Sequence, residues 1–263
     1  MRTALAIARK ELSIYFTTPW AYAVFTAMQA LAAFFFMSGL ADFQRAQVQA
    51  RQTSWQQVPP MFRNLTDGVM VPFWNSALMI TLFVVPFLSM RLFAEERRNK
   101  TFELLMASPI RPVEIVLGKY LGGLGITTAT LGLTLLFPLT LAWLGTGESG
   151  ALEWGTVLLG YAGLLLWGAT CMAVGLFISA LTQSQMVAAL VTFAVLLPWM
   201  MLRGLAQSTE EPLRSVLGYL SFSTQLSGML GGVLDLQTPV FFLSVIVFSL
   251  LLCHRAVESR RWA

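Results

Sequence analysis

The chain has 263 residues, 56% hydrophobic and 11% charged, with a net charge of +4. An average soluble domain carries roughly 25% charged residues, which excludes a water-facing surface of ordinary polarity. The scattered basic residues give nucleic acid no continuous surface, and one histidine (His254) with Cys171 and Cys253 inside apolar runs leaves no set for a zinc site or histidine-dependent catalysis.

Residues 1–18, MRTALAIARKELSIYFTT, form the first unit. Leu5, Ala8, Leu12 and Tyr15 fall on one helical stripe, and Arg2, Arg9, Lys10 and Ser13 lie mainly off it. This predicts an amphipathic helix lying in a membrane interface. Two readings follow: a basic anchor, or a strut that touches a partner through Arg9, Lys10 and Glu11. Thr18 and Pro19 then supply an N-cap and a first-turn proline, so a new helix starts there.

Residues 19–263 hold six apolar runs, at about 20–40, 72–90, 120–144, 154–181, 185–202 and 238–253. A membrane span needs about 20 such residues. The first run is too long for a cleavable signal peptide. With these boundaries no Asp, Glu, Lys or Arg sits deep in a span, which argues against an ion-coupled transporter.

The segment 41–71, between the first two runs, is glutamine-rich and contains Pro59 and Pro60. It predicts a polar extracytoplasmic element and a partner site. Arg91 to Tyr120 holds ten of the thirty Asp, Glu, Lys and Arg residues. Here Phe93 to Arg98 is expected to carry the second span into water. Asn99 is expected to cap a short helix through Met106, with Glu103 near its positive end. Leu104, Leu105 and Met106 form an apolar knob, and Pro109 ends the helix. A mixed-charge helix with an apolar knob is a docking surface. The pair Gly118–Lys119 does not make a nucleotide-binding loop, because Tyr120 stands where Ser or Thr is needed. Gly118 and Gly122 have the spacing of close helix packing.

Gly204 to Pro239 is too apolar for a plain loop, yet Glu210, Glu211 and Arg214 prevent a seventh span. Short re-entrant helices and a helix lying on the outer leaflet are both open. Lys and Arg number twelve on the side of the termini and the charged loop, against five on the other. That count predicts cytoplasmic termini.

The stretch FAEERRNKTFELLMASPIRPVEIVLGKYLG resembles the cytoplasmic loop of type-2 ABC transporter permeases. Within that group it is most similar to the gliding-motility-associated (GldF-like) subfamily. The N-terminal ARKELSIYFTTPWAYAV and the C-terminal LDLQTPVFFLSVIVFSLLLCHRAVESRRW resemble the same subfamily. The resemblance implies an all-α membrane protein with six transmembrane helices, an N-terminal interfacial helix, a coupling helix in the charged loop and short outer re-entrant helices before the last span. It implies a bacterial inner-membrane protein that pairs with a second copy, as a homodimer, and with two cytoplasmic ABC ATPase chains. ATP and magnesium would be bound by that partner, and this chain would bind no cofactor and be no enzyme itself. An auxiliary membrane subunit with an extracytoplasmic domain is a further implied partner. Glu95, Glu96, Arg97, Thr101, Glu103, Leu104, Leu105, Ser108, Pro109, Glu114, Gly118 and Lys119 lie on the family pattern. Lys100 departs from it, standing where a Gly is usual before the Thr.

Two functions follow. One is ATP-driven export, or extraction of a substrate from the membrane. The other transmits ATPase motion to an extracytoplasmic partner and transports nothing. A passive channel or structural anchor would leave the charged loop without a role.

Overall fold

Inside hydrocarbon every peptide group must be hydrogen-bonded within the protein, so an apolar chain of this kind folds as helices. The computed structural model describes residues 2–52, 62, 64–107, 110–144 and 152–259, with the backbone alone at Trp20, Arg51, Gln52, Leu104, Leu105, Met106 and Leu144. The described residues form helices joined by short turns and contain no strand. In chain order the helices are α1 (Arg2–Thr17), α2 (Pro19–Gln52), α3 (Val71–Ser89), α4 (Arg91–Arg98), α5 (Phe102–Ala107) and α6 (Pro112–Leu133). They continue with α7 (Leu136–Leu144), α8 (Trp154–Leu181), α9 (Gln185–Gln207), α10 (Leu213–Leu220), α11 (Phe222–Leu230) and α12 (Gln237–Ser259).

Six stretches are long and apolar enough to cross a bilayer: Ala21–Ala50, Thr66–Arg98, Pro112–Trp143, Trp154–Leu181, Gln185–Gln207 and Gln237–Ser259. The chain is therefore a multi-pass membrane protein. The third stretch starts at Pro112, not near Tyr120 as the hydropathy suggested. Arg111 is extended (ψ 136°) and Pro112 opens the helix at its first turn, so α6 begins before its apolar run does.

α8 is the centre of the bundle. Of its most apolar 18-residue window 78% is buried, and 72% of that in Thr66–Arg98, against 17% for the window in α2 and 22% for that in α9. Glycines on α8 let its neighbours come close. A Cβ at Gly160 would lie 2.6 Å from the Trp74 ring, and one at Gly168 would lie 2.8 Å from Thr127 Cγ2. The Trp167 indole N–H donates to the Leu78 carbonyl at 3.1 Å and ties α8 to α3. α2 and α9 instead expose large apolar residues such as Phe34, Leu190 and Met201, which lipid tails solvate as well as protein does.

The break between α6 and α7 has a polar repair. The Tyr161 hydroxyl donates to the carbonyl of Thr134 at 2.8 Å, and the Gln29 amide donates to that of Thr130 at 2.9 Å. Between the fifth and sixth spans, α11 sets Phe222 between Trp199, Trp167 and Phe242, with ring centroids 4.6, 5.0 and 5.5 Å away.

Candidate functional site

α1, the turn between α4 and α5, the α8–α9 turn and the C-terminus of α12 gather at one end of the bundle, here called the charged end. Its geometry starts from three glycines on α6. A Cβ at Gly118 would lie 2.8 Å from the Ala4 carbonyl oxygen. At Gly122 it would lie 2.7 Å from Glu11 Cβ, and at Gly125 3.0 Å from Leu12 Cδ2. α1 thus lies on the bare backbone of α6, as small residues at helix interfaces permit.

This contact corrects the predicted stripe. α1 buries Ala4, Ala8, Glu11 and Tyr15, while Leu5 is 64% exposed. The backbone of Ala4 and Ala8 and the side chains of Ile7 and Leu12 meet the glycines, and a cation inside this face draws Glu11 in. That cation is Lys119, 1% exposed, within the third span. Lys119 is thus a buried cation in the first third of that stretch, near its charged end, where hydropathy alone did not place one. The Lys119 ammonium donates to Glu11 Oε1 at 2.9 Å and to Glu96 Oε1 at 2.7 Å. It also lies 5.2 Å from the centre of the Phe93 ring, on whose face a cation is attracted. Lys10 stands 3.6 Å from Glu96 and 3.9 Å from Glu11 and is largely exposed. Two ammoniums and two carboxylates thus balance, and a small hollow of about 190 Å³ opens beside them.

The cluster joins helices far apart in sequence. Glu11 is on α1, Lys119 on α6 and Glu96 on α4. The Tyr15 hydroxyl donates to the Leu88 carbonyl of α3. Burial, and then the nearby Glu11 carboxylate, push its pKa up, so the phenol stays a proton donor.

α4 is also fastened to α8. Leu92, Phe93 and Ala94 are buried, so α4 does not run freely into water as the sequence suggested. The Ser179 hydroxyl accepts from the backbone N–H groups of Phe93 and Ala94, both at 3.1 Å, and donates to the Met90 carbonyl at 2.9 Å. The Arg97 guanidinium donates to the Ala180 carbonyl at 2.6 Å and the Thr182 carbonyl at 3.4 Å. Glu95 is occupied by Arg91, which donates to both its oxygens at 2.8 and 3.2 Å.

Asn99 caps the end of α4 rather than the start of a new helix. The Lys100 N–H donates to the Arg97 carbonyl at 3.2 Å, and the Thr101 N–H to the Glu96 carbonyl at 3.0 Å. Those two bonds close a helix with a left-handed residue between them. That residue is Lys100, at φ +56°. Glycine would adopt this conformation without strain. α5 then begins at Phe102, whose ring meets Phe93 edge-on at 6.3 Å.

The predicted residues therefore divide. Glu11, Glu96, Gly118 and Gly122 meet around Lys119, and Arg97 and Thr101 shape the α4–α5 turn. Arg9 and Lys10 lie on the exposed face of α1, and Glu103 is exposed on α5. Leu104 and Leu105 lie on α5, with side chains outside the described residues, as are Ser108 and Pro109 altogether. The sequence reading missed Ser179 and Gly125, and it gave Lys119 no partner. The available signal was a single lysine between two glycines four apart, opposite a lone glutamate on an otherwise uncharged apolar helix face.

No curated protein gives a significant match to the chain. The family model of the ABC-2 family transporter proteins, however, matches residues 5–252, from α1 through nearly all of α12. The chain belongs to the ABC-2 transporter family, whose members are membrane components of transporters and not their nucleotide-binding subunits.

Proposed function

We propose that this chain is the permease subunit of an ATP-driven transporter of the GldF-like kind, working in a bacterial cytoplasmic membrane with both termini in the cytoplasm. An ABC ATPase on a separate chain, carrying ATP and magnesium, docks under α5. Two copies of each subunit assemble, with the permease as a homodimer. Closure of the ATPases displaces α5 and α4, and the spans follow, exporting a substrate or extracting it from the membrane.

The observation that carries this reading is Lys119, held at once by Glu96 of α4 and Glu11 of α1. A push on α4 cannot leave α1 and α6 behind without separating buried opposite charges, which is costly. Ser179 and Arg97 pass the same push to α8, the core of the bundle. The twelve-to-five bias of basic residues supports the orientation.

A second reading, transmission of motion to an extracytoplasmic partner, draws on α2. Its 34 residues span about 50 Å at 1.5 Å per residue, beyond a hydrocarbon core of about 30 Å. The far end exposes Gln44, Arg45 and Val48 and reaches where an auxiliary subunit would stand. The test of coupling is Leu104→Ala with Leu105→Ala in the full chain, reconstituted with the ATPase that co-purifies with it. Membrane insertion should persist while ATPase capture or stimulation falls on the order of tenfold, the equivalent of about 1.4 kcal/mol. Unchanged capture and stimulation would show that α5 is only a tether.

A further inference from the structure

A second hollow at the charged end lies apart from the ion-paired cluster. It measures about 920 Å³ and is lined by Arg97, Arg98, Lys100, Glu103, Gln183 and Ser259. Three elements distant in sequence share it: the α4–α5 turn, the α8–α9 turn and the end of α12. Its charges are unbalanced, unlike those around Lys119. Among the described residues three cations line it with one carboxylate, Glu103, and in sequence Ser259 is followed by Arg260 and Arg261.

The cations are held differently. Arg97 is fixed on the carbonyls of Ala180 and Thr182. Arg98 and Lys100 are exposed, and no described carboxylate pairs with either. Lys100 moreover occupies a left-handed position that glycine fills without strain. The rim therefore carries a cation at a backbone cost, where the uncharged residue would make the better turn.

We propose that this hollow receives an acidic patch of the ATPase subunit, an inference that rests on the docking of that subunit under α5. The contact would be separate from the apolar knob of α5 and would set the rotation of the ATPase about it. It reads the α4–α5 turn, the α8–α9 turn and the end of α12 together, so it registers whether those three ends are aligned. A lipid phosphate fits the hollow less well. Glu103 stands in the wall, and α5 lies beyond every candidate span. A protein surface can set a donor opposite Glu103 and carboxylates opposite Arg98 and Lys100.

The experiment uses the full chain in nanodiscs of phosphatidylcholine alone and of phosphatidylcholine with phosphatidylglycerol. Binding of the co-purifying ATPase is titrated at rising NaCl. Arg98→Glu with Lys100→Glu should weaken binding on the order of tenfold or more in both lipids, as reversal of close interfacial charges does. The salt dependence should flatten as well, because the screened attraction is gone. Arg98→Gln with Lys100→Gln should shift both quantities the same way by less, which covers misfolding of the reversed variant. A loss confined to phosphatidylglycerol nanodiscs would assign the hollow to lipid headgroups and overturn the proposal. So would unchanged affinity and salt dependence in both variants. Leu104→Ala with Leu105→Ala separates the two levels. If that pair loses binding and the charge variants do not, the acidic patch is refuted and docking under α5 stands. If neither set loses binding, both fall.

Discussion

α1 and α10 are both short amphipathic helices outside the spans, and they end in opposite states. α1 buries Ala4, Ala8, Glu11 and Tyr15, while α10 buries none of its eight residues. Leu213, Val216, Tyr219 and Leu220 of α10 all stay exposed, although the helix runs beside α9. The difference lies in the neighbour. α6 presents Gly118, Gly122 and Gly125 to α1, with Lys119 between them, so backbones approach and a buried ion pair becomes reachable. No such glycine face receives α10: a Cβ on Gly204, in the last turns of α9, would meet nothing within 4 Å. An apolar stripe therefore announces that a helix will be covered, and the small residues opposite decide whether its own chain does the covering.

The largest test of this contrast removes the cation. Lys119→Met leaves Glu11 and Glu96 facing each other, with the exposed Lys10 beside them and Arg91 already engaged by Glu95. Removing one partner of a buried ion pair costs about 3–5 kcal/mol. Thermal unfolding in nanodiscs should show a large loss. The neutral triple variant Glu11→Gln, Lys119→Met, Glu96→Gln should recover most of it, since no charge is then stranded. If Lys119→Met melts like the parent, water reaches the cluster and α1 is no more locked than α10.

A smaller effect comes from the glycines. At Gly122 any side chain meets Glu11 Cβ at 2.7 Å, which is part of the helix stem and has little room to move. Gly122→Val should cost about 1–3 kcal/mol, the usual penalty of overpacking. Trypsin should then cut after Arg9 or Lys10 faster, as α1 lifts. Gly132→Ala on the same helix is the control, because a Cβ there meets nothing within 4 Å. Equal trypsin rates for Gly122→Val and the parent would mean that α1 rests on α6 without being gripped.

The sequence made the six spans legible because hydrocarbon imposes one strong rule, length times apolarity, on each of them. It made the charged loop legible because ten charges between two apolar runs need a reason. The covered face of α1 was less visible. Ile7 and Leu12 meet the glycines of α6 beside Ala4 and Ala8 while Leu5 stays exposed, so apolarity alone does not tell which residues α6 covers. Lys119 was hidden by the boundary of α6, since hydropathy rises only after Tyr120 while Pro112 already starts the helix. The turn at Lys100 was hidden by its residue type. Glycine would have flagged a left-handed position, and lysine does not. The pair α10 and α11 was foreseen as non-spanning, but which of them reaches the core depended on Phe222 finding Trp199, Trp167 and Phe242.

The smallest effect belongs to α10, and there the comparison is sharpest. Val216→Gln with Leu220→Gln removes apolar surface that touches no core, so stability should change by no more than about 0.5 kcal/mol per site. The face is not idle, however, if a bilayer covers it, because an amphipathic helix sinks its apolar stripe into the headgroup–acyl boundary. Cys171 and Cys253 are buried, so a thiol introduced by Leu220→Cys can be labelled alone with an environment-sensitive fluorophore. Its emission in nanodiscs should be that of an apolar site. A label at Leu5→Cys, on the uncovered apolar side of α1, should behave alike, while Ala8→Cys should resist labelling because α6 covers it. Apolar emission at position 220 together with a stability loss well above that bound in the glutamine variant would mean that α10 packs on protein. In that case a protein surface, and not lipid, would do for α10 what Gly118, Gly122 and Lys119 do for α1 at the charged end.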